Sequence, residues 1–332
     1  MKNIKVLGAG FACMDLIEWS TSSYISLGGT AANVLTILSQ LGFETKLLTA
    51  EYSGEIEDWY KNALQIRHIF PVYFQKSKKN LSVVIENIDP INNVHFFRTS
   101  CSRCKNNLIN VILPSDEKTR KLMPEINDCN LLFYDRFSSG INYLANINKE
   151  GWNMYEPNGF RMYSNLLSGC QSSDIIKFSA ARISEGICEQ LLCDLKDSRA
   201  KIVIVTMGQE GLKFTVKYHD DWGDWNYLPS INSNNVLDTA GAGDWLTAGF
   251  LYELLTKYPE VQNISQVKLI QMLKKAQVLA TEACGFIGAQ GILKEPKGIE
   301  QLRLITGVDF WPIHDNNIEV KIKCPICGFE EG

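Results

Sequence analysis

The chain alternates short apolar runs with longer segments in which apolar residues recur every three or four positions. Runs such as LLFY at 131–134 and KIVIVT at 201–206 are rich in β-branched and aliphatic residues, which predicts buried strands. Between such runs, segments such as 33–41 place apolar side chains on one helical face. This alternation extends from Lys2 to Gly288, so we expect an α/β protein with a mainly parallel sheet covered on both faces.

One region departs from this alternation. Residues 70–97 contain three short segments, VYFQ, LSVVIEN and NVHFFR, in which apolar and polar residues alternate with a period of two. Such a pattern is typical of β-hairpins with one solvated face. We therefore expect a small additional set of strands here.

Composition and charge narrow the possible functions. The 332 residues are 45% hydrophobic, enough for a sizeable core, and 33 basic against 37 acidic residues give a net charge of −4. There is no basic field to attract nucleic acid or a membrane surface, so neither is expected as a partner. The N-terminal sequence reaches Asp15 before an apolar signal-peptide core can form, and we expect a cytoplasmic protein.

The segment DTAGAGD at 238–244 carries the clearest chemistry. Gly241 and Gly243 allow close approach of the backbone to a ligand, and the apolar periodicity that follows predicts a helix beginning there. The N–H groups and dipole of a helix N-terminus attract an anion. Asp244 then sits where it can accept the proton of a hydroxyl that attacks a phosphoryl group. The alternative is a glycine-rich helix cap whose aspartate only complements the dipole.

The residues of DTAGAGD resemble the C-terminal signature of the ribokinase-like (PfkB) carbohydrate kinase family. A second segment, LGGTAAN, resembles the N-terminal signature of the same family in its Gly28, Gly29 and Asn33. The resemblance covers about Lys2 to Leu293. It implies a ribokinase-like three-layer α/β/α sandwich, with a mainly parallel central sheet and a small β lid made of strands at about 11–27 and 70–100. The kinase domain is expected to span residues 1–310.

The resemblance also implies roles for individual residues. Asp244 is the general base, and the backbone of Gly241, Ala242 and Gly243 forms an anion hole. Acceptor-binding positions are Asp15, Gly28, Gly29 and Asn33. Nucleotide-binding positions are Asp238, Thr239 and the TxGxxG residues Thr206, Gly208 and Gly211.

Two positions near the expected phosphates depart from the family pattern. The family has Asp-Pro-Asn where this chain has Glu156, Pro157 and Asn158, which is a mild change. Arg182 stands where the family has a glutamate that helps to place magnesium. A guanidinium can contact phosphate directly, so Arg182 either takes a different part in binding or impairs catalysis.

These resemblances imply a kinase that uses ATP and Mg²⁺ to phosphorylate a hydroxyl of a sugar or sugar-like molecule. A nucleoside kinase is an alternative within the class. A catalytically impaired sensor or interaction module on the same fold is the alternative from another class, and Arg182 is its motivation. Lids of this family often pair between subunits, which makes a homodimer through the lid a further expectation.

Two CxxC pairs lie outside the family pattern. Cys101 and Cys104 follow the expected lid strands, and Cys324 and Cys327 lie in the tail at 311–332. Four thiolates are what a structural tetrahedral zinc site needs, so we expect the tail to fold back and complete one with Cys101 and Cys104. Unpaired reduced thiols and a redox-active CxxC are the alternatives.

Overall fold

The structure is a computed structural model. It describes residues 3–19, 22–53, 56–89, 94–126, 128–158, 162–219, 221–233, 235–315, 322–324 and 326–331. Its strands are β1 (Lys5–Ala9), β2 (Cys13–Trp19), β3 (Ser22–Gly28), β4 (Glu44–Glu51), β5 (Ile69–Lys76), β6 (Ser82–Asp89), β7 (Val94–Arg98), β8 (Leu131–Tyr134), β9 (Trp152–Tyr155), β10 (Ile175–Ser179), β11 (Ile202–Thr206), β12 (Leu212–Tyr218), β13 (Asp221–Trp222), β14 (Asn226–Leu228), β15 (Ile322–Lys323) and β16 (Glu330–Glu331).

The helices flank the sheets along most of the chain. They are α1 (Thr30–Gln40), α2 (Glu57–Gln65), α3 (Asp116–Lys121), α4 (Met123–Ile126), α5 (Ser139–Ile147), α6 (Tyr163–Gln171), α7 (Glu185–Asp194), α8 (Ala242–Lys257), α9 (Gln266–Ala283) and α10 (Pro296–Thr306), with 3₁₀ turns at Gly208–Glu210 and Gly291–Leu293. None of the helices in the described part of the chain has the length and apolar character needed to cross a lipid bilayer.

The central sheet has the order β13-β12-β11-β10-β9-β8-β1-β4-β5, with β14 beside β12. The strands from β11 to β5 are all parallel, and β12 returns antiparallel to β11. Every residue of β8 and β9 is buried, as expected for central strands that helices cover on both faces. The predicted mainly parallel α/β sandwich is confirmed.

A separate four-stranded sheet has the order β3-β2-β6-β7 and forms the lid. Its two inner strands, β2 and β6, run parallel to each other. The prediction was wrong for VYFQ, because this segment belongs to β5, which pairs with β4 at the edge of the central sheet. The cause is that an edge strand with one solvated side alternates in the same way as a lid strand, and β5 also contains Pro71, which edge strands tolerate.

The segment after α10 packs against the main body of the protein. Ile313 is buried, and the backbone of Trp311 exchanges hydrogen bonds of 2.9 and 3.0 Å with the side chain of Gln40 on α1. Residues 316–321 of the expected tail lie outside the described residues. Further on, β15 and β16 pair as a short antiparallel ribbon around the second CxxC motif.

Candidate active site

A cavity of about 1230 Å³ lies where the carboxyl ends of the central strands meet the lid. Residues that follow or end β8 to β11 line its floor, among them Arg136, Glu156, Ser179 and Thr206. Ligands of open parallel sheets bind at this edge. The volume exceeds that of a typical site for one small molecule, so the cavity has room for more than one small ligand.

Asp244 lines this cavity and lies in the first turn of α8. Its side chain is 9% exposed and accepts a 2.7 Å hydrogen bond from Nδ2 of Asn33 on α1. Burial, followed by the negative charge of Glu156, raises the pKa of the Asp244 carboxyl to about 7. A carboxylate with such a pKa is well suited to take up a proton near neutral pH.

The N-terminus of α8 opens onto the same cavity. Gly241 caps the helix with φ of 74°, and a Cβ there would lie 2.6 Å from the Cβ of Ala289, so a larger residue would clash. The N–H of Ala242 donates to the carbonyl of Thr239. The next N–H groups, of Gly243 and Asp244, belong to the helix turn whose donors find no partner within a helix. Gly243 has helical backbone, so of the two glycines only Gly241 has a positive φ.

Lys177, which the sequence analysis did not single out, lies next to these groups. It is buried on β10, forms an ion pair with Glu156, and lies 3.6 Å from the position of a Cβ on Gly243. The other carboxylate oxygen of Glu156 accepts a 2.7 Å hydrogen bond from Thr247 of α8. A lysine inside the apolar run DIIKF was the available signal, since lysine is rarely buried without a partner.

The other two phosphate-region candidates form a second cluster. Asn158 donates to Thr30 at 2.7 Å and to Asp135 at 3.4 Å, and its backbone carbonyl accepts a 2.6 Å hydrogen bond from Arg182. Both Asn158 and Arg182 line the cavity, and Arg182 is exposed at its rim. Arg182 therefore adds positive charge at the place where the family pattern has a glutamate.

The lid end of the cavity is acidic. Asp15 on β2 and Glu86 on β6 both line it and are both buried. Burial raises the pKa of Asp15 to about 7, the negative charge of Glu86 acts in the same direction, and a hydrogen bond from the Cys13 thiol opposes it. Glu86 carried no motif, so the sequence analysis missed it.

The two glycines of LGGTAAN occupy different places. Gly29 lines the cavity and caps α1 with φ of 90°. Gly28 is not among the residues that line the cavity, and a Cβ there would lie 1.8 Å from an oxygen of Asp15. Gly28 thus provides the space in which the Asp15 carboxylate sits.

At the opposite end of the cavity lie the nucleotide candidates. Thr206, Gly208, Gly211 and Thr239 all line it, together with the face of α9 that carries Ala280 and neighbouring residues. Asp238 is buried behind this wall. Its carboxylate accepts hydrogen bonds from the N–H groups of Ala240 and Gly288, so it shapes the loop before α8.

A buried hydrogen-bonded chain continues outward from Asn33. Gln290 donates to Oδ1 of Asn33 at 2.8 Å and accepts from Nε of Arg67 at 2.7 Å. The guanidinium of Arg67 is fully buried and pairs with both carboxylate oxygens of Asp315, at 2.8 and 3.0 Å. The hydrogen bonds from Gln290 and Arg67 therefore help to hold Asn33 in its position beside Asp244.

The four cysteines of the two CxxC motifs come together as predicted. All four Sγ atoms lie within 4.8 Å of one another. Cys101 and Cys324 are buried, whereas Cys104 is exposed. The backbone N–H groups of Cys327 and Ile326 lower the pKa of the Cys324 thiol to about 7.

Comparisons with known proteins agree with this geometry. The model of the pfkB family carbohydrate kinases matches residues 180–296, which include Arg182, the TxGxxG loop and DTAGAGD. Fructosamine kinase FrlD of Bacillus subtilis (strain 168) is 24% identical over 293 residues, which cover 87% of this chain and 93% of that protein.

Solved structures with the same fold include a ribokinase and an aminoimidazole riboside kinase. Ribokinase from Giardia lamblia aligns with a TM-score of 0.70 at 13% identity, covering 90% of this chain and 99% of that one. Aminoimidazole riboside kinase from Salmonella enterica, solved with aminoimidazole riboside and an ATP analog, aligns with a TM-score of 0.64 at 18% identity, covering 91% and 99%. The chain thus has the ribokinase-like fold. Its motifs, the family match and the relatives together show that it resembles the PfkB carbohydrate kinases.

Proposed function

We propose that this protein transfers the γ-phosphoryl group of ATP to a hydroxyl of a sugar or sugar-like molecule. The observation that carries the proposal is the Asp244 carboxylate, held by Asn33 in the same cavity as the N-terminus of α8. A proton acceptor and an anion-binding helix end are the two groups that phosphoryl transfer to a hydroxyl needs close together.

The acceptor is proposed to bind at the lid end, where Asp15, Gly29 and Asn33 line the cavity. Its reacting hydroxyl would point to Asp244, whose carboxylate takes the proton as the oxygen attacks the γ-phosphorus. The bond from that phosphorus to the leaving oxygen of ADP then breaks. In the backbone hole formed by Gly241, Ala242 and Gly243, the N–H groups of Gly241 and Gly243 would stabilise the negative charge on the phosphoryl oxygens, whereas the N–H of Ala242 is bonded to Thr239.

ATP is proposed to bind at the other end, along Thr206, Gly208, Gly211 and Thr239. Two cations support this orientation. Lys177 lies beside Gly243 at the helix end, and Arg182 lies at the rim. Guanidinium and ammonium groups so placed bind phosphate oxygens, and a guanidinium can do so with two parallel hydrogen bonds.

Magnesium is proposed to enter with the nucleotide. Glu156 and Asn158 fit this role as oxygen-bearing side chains in the cavity, but both oxygens of Glu156 already bond to Lys177 and Thr247. Contact through water suits such a site, because Mg²⁺ keeps several of its waters. When bound, the ion neutralises charge that develops on the phosphates.

An acceptor that carries an amine is the substrate class that the lid end supports best. Asp15 and Glu86 are two buried carboxylates in this part of the wall, so their negative charge would attract an ammonium group on a bound acceptor, in addition to the nearby Lys294 ammonium that already acts on Asp15. FrlD, the relative with 24% identity, is named as a fructosamine kinase. An amine-bearing ketose is therefore the first compound to test, ahead of plain sugars and nucleosides.

Two structural features complete the proposal. A zinc ion held by Cys101, Cys104, Cys324 and Cys327 would be structural, since four thiolates leave no open position for chemistry.

Pairing of two chains through the lid is supported by Phe96, which is 50% exposed on β7 at the edge of the lid sheet.

The test is ATP consumption with Mg²⁺ against amine-bearing ketoses, plain sugars, sugar acids and nucleosides. Asp244→Asn is measured alongside, with Asp224→Asn as the control because Asp224 is exposed away from the cavity lining. Turnover of one compound that is lost only in Asp244→Asn is expected. ATP binding without turnover of any compound, unchanged by Asp244→Asn, would instead support the sensor reading suggested by Arg182.

A further inference from the structure

The loop that carries Cys101 and Cys104 leaves the last lid strand and returns to the lid. Thr99 and Ile109, on either side of this loop, line the acceptor end of the cavity. The N–H of Leu108 donates to the carbonyl of Thr99, and the N–H of Val83 on β6 donates to the carbonyl of Leu108. Whatever fixes the cysteine loop therefore also fixes this part of the acceptor wall.

The two CxxC motifs share two backbone features, although they lie more than 200 residues apart in sequence. In each loop, the residue after the second cysteine has a positive φ, 61° at Lys105 and 66° at Gly328. The N–H of that residue donates to the carbonyl of the first cysteine, at 3.1 Å for Cys101 and 3.0 Å for Cys324. In each motif, this bond holds the first cysteine close to the residue that follows the second cysteine.

A second bond of each loop repeats as well. The N–H of Cys101 donates to the carbonyl of Asn106 at 2.9 Å, and the N–H of Cys324 donates to the carbonyl of Phe329 at 2.8 Å. In both cases the donor and the acceptor residue are five positions apart in sequence. Two turns of the same design, facing each other, are what a shared central ligand requires.

The distances between sulfur atoms agree with a tetrahedral zinc site. Cys101 and Cys327 are 3.7 Å apart, and Cys104 and Cys324 are 3.6 Å apart. Disulfide bonds are about 2.05 Å long, so these pairs are not bonded. Zn–S bonds of about 2.3 Å in a tetrahedron place the sulfur atoms about 3.8 Å apart. The cluster therefore fits one zinc ion.

We infer that this zinc ion acts as a staple that joins the tail to the lid loop and thereby sets the shape of the acceptor wall at Thr99 and Ile109. The inference rests on the zinc part of the proposed function and extends it to acceptor binding. Without the ion, the four sulfur atoms no longer join the tail to the loop, and the wall gains freedom that acceptor binding must then remove. The nucleotide end is formed by other elements and is unaffected.

The first measurement is zinc content by mass spectrometry of the full-length protein, purified under reducing conditions. Cys104→Ser and Cys327→Ser are compared with Cys193→Ser, a control because Cys193 is an exposed cysteine outside the cluster. One zinc per chain is expected in the wild type and the control, and much less in the two cluster variants.

The second measurement is hydrogen–deuterium exchange of residues 97–110, before and after zinc removal by a chelator. Faster exchange there, with unchanged exchange around 239–246, is expected. Once an acceptor that the protein phosphorylates is known, zinc removal is expected to raise the KM for this acceptor at least fivefold, while the KM for ATP stays within twofold of its original value.

The outcomes separate the two proposals. Absence of zinc with Cys101–Cys327 and Cys104–Cys324 disulfides would overturn the metal site, and bound zinc whose removal leaves exchange at 97–110 unchanged would overturn the staple. A protein that turns over none of the acceptors but shows both the zinc and the exchange response refutes the kinase proposal alone.

Discussion

Nδ2 of Asn33 lies 2.7 Å from Oδ2 of Asp244, across 211 positions of sequence. The hydrogen bond exists because α1 packs against α8 and presents Asn33 opposite the first turn of α8. The two sequence signatures, LGGTAAN and DTAGAGD, are therefore in direct contact in the folded protein. A residue that would hold the acceptor also sets the direction in which the proposed base points.

Asp244→Asn is expected to abolish turnover and to stabilise the protein above pH 7. General-base groups contribute about 10²- to 10⁴-fold to rate, so the loss should be of that order. Asparagine removes a buried charge and can still accept the bond from Asn33, so a gain of roughly 1 to 3 kcal/mol in unfolding free energy is expected at pH 8.

The check is denaturant unfolding at pH 8 and at pH 5. The folded-state pKa of Asp244 lies above its ordinary value, so the destabilisation is complete above pH 7 and declines as pH falls toward 4. The advantage of the variant should shrink at pH 5. An equal advantage at both pH values would contradict this account of the carboxyl.

The pH dependence of kcat/KM should follow the same group. The base must be ionised in the free enzyme, and its pKa is raised to about 7, so kcat/KM should rise with pH and level off above about 8. Below pH 6 it should fall tenfold per pH unit, or more steeply if Asp15 must also be ionised. A flat profile from pH 5 to 8 would exclude Asp244 as a base with this pKa.

Gly28→Ala is expected to weaken acceptor binding selectively. The added Cβ would lie 1.8 Å from Oδ2 of Asp15, so the carboxylate must move. We expect the KM of the acceptor to rise at least tenfold with little change in the KM for ATP. Gly186→Ala on α7 is the matched control, because a Cβ there meets nothing within 4 Å, and it should leave both constants unchanged.

Arg182→Ala is expected to raise the KM for ATP, because the side chain is proposed to contact phosphate. Loss of a charged phosphate contact costs about 1.5 to 3 kcal/mol, or roughly tenfold to a hundredfold in affinity. Lys274→Ala, at an exposed position of α9, serves as the charge-matched control. Higher activity in Arg182→Glu than in the natural protein would show instead that Arg182 impairs catalysis.

Arg67→Met is expected to be strongly destabilising. The guanidinium is fully buried, and its removal leaves Asp315 with Lys294 as its remaining ion-pair partner among the described residues. Breaking a buried pair by removing one partner costs about 3 to 5 kcal/mol. Urea unfolding measures the loss, and partial restoration in Arg67→Lys, which keeps the positive charge, would show that the loss of this charge is part of its cause.

Much of the fold follows from the sequence, because strands and helices that bury one or two faces leave a periodic record. LLFY and KIVIVT became the strands β8 and β11, and the segment after DTAGAGD became α8. The segment at β5 could not be assigned in this way. Whether an alternating strand joins a lid or the edge of the central sheet depends on partners distant in sequence.

For the candidate site too, what the sequence could predict depends on whether the interacting residues are close together in sequence. Positions within compact motifs, such as Asp244 and Gly29, were found because their spacing in sequence reflects local backbone geometry. Lys177, Glu86 and Gln290 were not found, because each acts through a partner that only the tertiary fold brings near. Gly28 was found, but its contact with Asp15 could not be foreseen.

The pair of Arg67 and Asp315 spans 248 positions, which has a consequence for synthesis on the ribosome. At 5 to 20 residues per second, Asp315 is made roughly 12 to 50 s after Arg67. During that interval the guanidinium of Arg67 lacks the carboxylate of Asp315, with which it pairs in the folded protein. Completion of this region is therefore a late event, and ribosomes that stall before residue 315 should release chains that depend on chaperones or are degraded.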